Sequence, residues 1–260
     1  MRIIPPFILI YLCVSLSTQA QIVNIESSRI QTDTVGWAGS AGSNLSIEKN
    51  TRKIITIGLE AHLQYKTEKD LWLFLGDHNF LKRGNEKFVS NSFLHFRYNR
   101  KLNKWLRWEA FTQIQNNSIT QIKSRFLVGT GPRVKLLGYE KFRMYVASLI
   151  MYEHEVEQTT PSVIHNDVRS SSYVSFTVVP NENFELVSTT FYQPLLNNFS
   201  DARIYNQMVL TYKTSEHFAI NMRWNYLYDS RPAGVAPKTN YHFLSGFTYS
   251  AGSKKRKGRK

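Results

Sequence analysis

The chain holds a single cysteine, Cys13, and it lies close to the start. Disulfides, thiolate metal sites and cysteine nucleophiles are therefore excluded from everything after it. Past Ala20 no apolar run approaches the roughly 18 residues of a helical membrane span. The nucleophile-turn pattern Gly-x-Ser-x-Gly is missing; Gly39-Ser40-Ala41-Gly42-Ser43 is only a run of small residues. None of His62, His78, His95, His154, His165, His217 or His242 is followed by serine at the His-x-Ser spacing of barrel phospholipases. His154-Glu155 and His165-Asn166-Asp167 match no zinc spacing and read as solvated residues of one loop. No cofactor, metal or catalytic residue is expected, and no nucleic-acid motif is present.

What is present begins with an export signal. Met1-Arg2 precedes an apolar stretch from Ile3 to Leu16, closed by Ser17-Thr18-Gln19-Ala20. A positive start, an apolar middle and a small-residue exit make a secretory signal peptide, with cleavage between Ala20 and Gln21. A membrane anchor is the alternative, but the stretch is short for one. The net charge of +14 is uneven: Lys254 to Lys260 carries six positive charges and Arg2 one, leaving +7 on the body.

From Val35 to Tyr249 the chain repeats one unit, an alternating strand followed by a short polar connection. Phe218, Ile220, Met222, Trp224, Tyr226 and Tyr228 form one row; Ala219, Asn221, Arg223, Asn225 and Asp229 form the other, with Leu227 the exception. Side chains alternate faces along a strand, so one face is aromatic and the other polar. About twelve such strands can be read, an even number that puts both ends on one side. The expectation is all-β: an antiparallel transmembrane β-barrel of about 12 strands. It follows a signal peptide (1–20) and a periplasmic segment (21–34), occupies 35–250, and ends in a basic tail (251–260). The aromatics Trp108, Trp224, Tyr226, Tyr241, Phe243, Phe247 and Tyr249 are placed facing lipid. A soluble sandwich or lipocalin-like barrel is the competing architecture.

Every second connection is short, and the others lengthen towards the C-terminus: 156–166, 194–201 and 230–239. Short periplasmic turns and longer outer loops have this phase. Pro161, Pro194, Pro232 and Pro237 are placed in those loops, and Pro132 at a bulge inside a strand. The third strand is apolar on both faces at its start, so its facing stays open.

Three consecutive strands carry a recognisable pattern. They read His95-Phe96-Arg97-Tyr98-Asn99, then Glu109-Ala110-Phe111-Thr112-Gln113, then Arg125-Phe126-Leu127-Val128-Gly129-Thr130-Gly131. This resembles the domain-of-unknown-function family 481, the salt-induced outer-membrane proteins. The resemblance implies an outer-membrane β-barrel and no established activity. The chain departs from the usual ending of such barrels, because Phe247 and Tyr249 are followed by the basic tail.

The polar face of strands four to six is expected to form a lumen network of His95, Arg97, Arg107, Glu109, Gln113, Arg125 and Arg133, with Glu109 paired to an arginine. Two uses stay open. Such networks fill small barrels, or the arginines line an anion-favouring constriction of a narrow pore passing small ions or solutes. A lipid-hydrolase-like enzyme and a surface-binding barrel using the late loops are further alternatives. The expected setting is the outer membrane of a Gram-negative bacterium, as a monomer contacting outer-membrane lipid and the barrel assembly machinery.

Overall fold

A computed structural model describes residues 35–49, 53–84, 86–215 and 217–249. The signal peptide, its Ala20–Gln21 cleavage site, the 21–34 segment and the tail lie outside the described residues. The described chain is all strand: β1 (Gly36–Lys49), β2 (Lys53–Lys66), β3 (Asp70–Arg83), β4 (Glu86–Lys101), β5 (Leu106–Asn117) and β6 (Ile122–Gly138), then β7 (Phe142–Glu157), β8 (Ile164–Asn181), β9 (Phe184–Leu195), β10 (Asn198–Lys213), β11 (Phe218–Asp229) and β12 (Thr239–Tyr249). Each strand pairs with its sequence neighbour in one twelve-stranded sheet, ordered β1 to β12. Every ladder is antiparallel. This is the up-and-down meander of an outer-membrane-type β-barrel.

Alternation sets the facing. Along β5, Glu109, Phe111, Gln113, Gln115 and Asn117 are buried, while Trp108 and Ile114 are exposed. β3 resolves the same way: Leu73 and Leu75 point inward and Phe74 outward. The inner faces of β5 to β11 converge on one apolar cluster containing Phe111, Leu149, Met151, Tyr173, Phe191 and Tyr205. Gly129 makes room for it, since a Cβ there would stand 2.6 Å from the Phe111 ring. Outside, Trp37, Tyr65, Trp72 and Tyr98 form a continuous ring-to-ring row across β1 to β4, at centroid spacings of 4.7, 5.6 and 5.4 Å. Such rows mark the interfacial girdles of membrane barrels.

Three expectations are corrected. The 194–201 connection is not a long loop: β9 runs to Leu195 and β10 starts at Asn198, so Pro194 sits buried at a strand end. Its missing N–H is tolerated because the register shifts just beyond it, between Asn198 and Ala202. The 156–166 loop shrinks to 158–163, because β7 reaches Glu157 and β8 starts at Ile164. Pro132 marks no bulge: Thr130 opposes Ile150 and Arg133 opposes Ala147 in unbroken register. The irregularities of β6 against β7 lie instead between Ile122 and Ser124 and between Lys135 and Leu137.

Candidate functional site

The interior of the β4–β11 wall carries two charged layers with apolar residues between them. Along β7, Ala147, Leu149 and Met151 separate the layers. The first layer centres on Glu109. Arg97 Nη1 donates to its Oε2 at 3.0 Å, and Arg133 Nη1 to its Oε1 at 3.2 Å. The Tyr173 hydroxyl, from β8, donates to Oε2 at 2.7 Å. Both guanidinium groups also lie over aromatic rings, Arg97 at 5.0 Å from Phe111 and Arg133 at 4.0 Å from Tyr145. Contacts of this kind add to the charge pairing where water is absent. Arg97 Nε donates to His95 Nε2 at 3.4 Å, which makes that nitrogen an acceptor and leaves Nδ1 to donate to Gln113 Oε1 at 3.0 Å. Gln113 then donates to Gln115 at 2.6 Å.

The second layer centres on Glu153. Arg125 Nε and Arg203 Nη1 reach its Oε1 at 2.9 and 2.6 Å, and Arg169 Nε reaches Oε2 at 2.8 Å. Each arginine continues outward to further acids. Arg125 pairs with Glu155, Arg169 with Asp201 at 3.0 Å and Asp167 at 3.2 Å, and Arg203 with Asp229 at 2.8 Å. Burying one such charge is costly, and each is stabilised only because several opposite charges come with it.

The connection after β11 lies over this layer. Arg231 Nε reaches Asp201 at 3.1 Å, and the Gly234 amide donates to Glu157 at 3.2 Å. The Val235 amide donates to Gln121 at 3.0 Å, and Ala233 is buried beneath. Glu157 also accepts from His165 Nε2 at 2.7 Å.

All seven residues expected in the lumen face inward, but not as one network. His95, Arg97, Glu109, Gln113 and Arg133 share the first layer; Arg125 belongs to the second. Arg107 stands aside, half-buried 5.7 Å from the Tyr145 ring. The expected concentration of charge on strands four to six is too narrow, since the larger cluster runs from β6 to β11. Glu155, read as a solvated loop residue with His165 and Asp167, is 3% exposed inside the barrel. The solvated reading fails because Arg125, directly opposite on β6, and Arg203, from β10, replace its water. The signal that marks these residues is alternation: Arg169 is in step with buried Ser171, Tyr173 and Ser175. The seven aromatics expected to face lipid all point outward; Trp108, Tyr241, Phe243, Phe247 and Tyr249 are exposed, and Trp224 and Tyr226 are half-covered by neighbouring strands.

On the outer wall His78 Nδ1 meets Ser92 Oγ at 2.7 Å. No group among the described residues engages the other ring nitrogen of His78, so the pair lacks the orienting partner of a catalytic triad. At the loop end, a cavity of about 480 Å³ is lined by Ser90, Asn116, Ser118, Lys123, Thr159 and Ser162, among others.

A family model described as "Protein of unknown function, DUF481" matches residues 49–250. No curated protein matches the sequence. A solved NanC porin is similar in structure with a TM-score of 0.45 and 12% sequence identity, over 75% of this chain and 93% of the porin.

Proposed function

This chain belongs to the DUF481 family of proteins of unknown function, and from that premise we propose that it is a structural barrel of the Gram-negative outer membrane, with a filled interior and no open pore. The observation that carries this reading is the burial of the two charged centres: Glu153, Glu109 and Arg133 are each 0% exposed. An aqueous path through them would leave its lining charges hydrated. The second layer sets three arginines among five carboxylates, so that layer offers no net positive ring to attract anions. The outward aromatics and the signal-like start support the location, with outer-membrane lipid and the assembly machinery as partners and a monomer as the working form. Enzymatic activity is not part of the proposal, because the Ser92–His78 contact has no third member among the described residues.

The test is a planar-bilayer recording of the purified protein. Silence is expected across the voltage range in which porins conduct. Discrete current steps would overturn the filled-barrel reading in favour of a narrow pore.

The loop-end cavity favours a second reading, a surface barrel that binds a polar ligand at its outer rim. Its hydroxyl and amide lining and Lys123 suit a hydroxylated, anionic group. A Lys123→Glu variant that binds lipopolysaccharide vesicles as well as the parent does would count against it.

A further inference from the structure

From the Glu109 layer towards the short connections, the inner wall of β4 to β7 changes character. Glu109 is the last inward carboxylate on these strands among the described residues. Past it the inward positions hold Lys101 on β4, Arg107 on β5, Arg133 and Lys135 on β6, and Arg143 and Tyr145 on β7. Lys101 stands directly opposite Arg107, and Arg107 directly opposite Arg133. Three cations thus share one row, with neighbouring Cβ atoms about 4.5–5.5 Å apart, and like charges so placed destabilise a sheet. Glu109 is engaged by Arg97 and Arg133. No carboxylate among the described residues pairs with Lys101, Arg107 or Lys135, and those of the adjoining connections, Glu140 and Glu182, are exposed. The second layer, at the other end, has the opposite balance, so the interior is polarised along its axis.

The cluster is also held in place. Arg107 and Arg133 share one ring, lying 5.7 and 4.0 Å from the centroid of Tyr145. Lys135 is directly opposite Tyr145, and the register shifts just after it, between Lys135 and Leu137. Such shifts re-aim side chains. Here the Lys135 ammonium comes to lie against Gly138, where a Cβ would collide with it. Arg107, Lys135 and Tyr145 are half-buried and Lys101 is exposed, so the cluster opens to the mouth with the short connections.

We propose that this cluster is a binding site for a soluble, multiply charged phosphate compound, entered from that mouth and closed above by the Glu109 layer. Charge density selects phosphate. A phosphate group carries about 1.5–2 negative charges near pH 7 and three strong acceptor oxygens, whereas a carboxylate carries one charge. Cations this close together are offset best by one compact group holding more than one charge. Arg107 supplies a planar fork, and Lys101 and Lys135 supply point charges. The side chains face inward, away from lipid, so the ligand is a free solute and not a lipid headgroup. The site rests on the filled-barrel reading only for its roof.

Calorimetric titration of inorganic pyrophosphate into the full chain, folded in a zwitterionic detergent at low salt, tests the site. Saturable binding to one site is expected. Arg107→Gln with Lys135→Gln should weaken it by at least about tenfold, the loss expected for charge-assisted hydrogen bonds. Arg107→Lys with Lys135→Arg keeps the charge and should bind more tightly than the glutamine pair. Gly138→Ala, which crowds the Lys135 ammonium, should weaken binding, and Lys53→Gln at the far end should not. Variants are compared once their unboiled migration shows them folded. No binding by the parent would overturn the site. Loss of binding on glutamine replacement of Lys254, Lys255, Arg256 and Lys257, with the Arg107→Gln, Lys135→Gln variant unaffected, would overturn it in favour of the tail. Citrate bound as tightly as pyrophosphate would overturn the phosphate assignment, and competition by added phosphatidylglycerol would overturn the soluble one. Current steps in the bilayer recording with pyrophosphate still bound would overturn the filled interior and leave the site standing. Silence without binding would overturn the site alone.

Discussion

Tyr173 on β8 donates its hydroxyl hydrogen to Glu109 on β5 at 2.7 Å, with β6 and β7 lying between the two strands. The contact exists only because the sheet curls tightly enough for inward side chains to meet across its concave face. It also gives Glu109 three donors from three strands, β4, β6 and β8.

Removing that carboxylate leaves two buried guanidinium groups facing one another. Glu109→Gln should destabilise the barrel by about 3–5 kcal/mol, as breaking one side of a buried ion pair does. Tyr173→Phe removes only a neutral donor and should cost about 1–3 kcal/mol. Urea unfolding in detergent, followed by tryptophan fluorescence, measures both. Equal midpoints for Glu109→Gln and the parent would remove Glu109 from the network.

Glu153 engages three arginines, so Glu153→Gln should be at least as damaging as Glu109→Gln, again about 3–5 kcal/mol. Because these pairs are buried, salt should screen them little. Raising sodium chloride from roughly 0.1 to 1 M should leave the parent's unfolding midpoint nearly unchanged, whereas a strong drop would show the cluster to be hydrated.

Gly129 and Gly42 offer a matched contrast. A Cβ at Gly129 meets the Phe111 ring, while one at Gly42 meets nothing within 4 Å. Gly129→Ala should cost about 1–3 kcal/mol through overpacking, and Gly42→Ala should be neutral within about 0.5 kcal/mol. Reversal of that order in chemical unfolding would mean that the Phe111 ring does not pack there.

Alternating outward aromatics predict a heat-modifiable protein. Unboiled, membrane-extracted samples should run at a different apparent mass from boiled ones on a denaturing gel. Identical migration would count against a detergent-resistant barrel.

The Ser92–His78 contact carries a test of the non-enzymatic reading. Parent and Ser92→Ala should release fatty acid from phospholipid vesicles at the same background rate. Hydrolysis that disappears with Ser92 would establish an activity at the outer wall.

Legibility followed the range of each interaction. The facing of Arg97, Glu109 and Gln113 can be read from the chain, because alternation is a property of adjacent residues. The facing of β3 cannot, because Leu71-Trp72-Leu73-Phe74 offers apolar residues to both sides. Asp167 and Glu155 looked solvated for a related reason: charge in isolation predicts water. The partners of Glu155 lie far along the chain, Arg125 thirty residues away and Arg203 forty-eight, and Arg169, two residues from Asp167, is held inward by acids on other strands.

The period, the run of about twelve strands and which side chains share a face were legible in the chain alone, since all three follow from the two-residue repeat of an extended backbone. Which charges meet, and that Glu153 rather than Glu109 centres the larger cluster, were settled by how the strands curl together. Those outcomes depend on curvature and stagger summed over every ladder, and no local stretch of residues contains that sum.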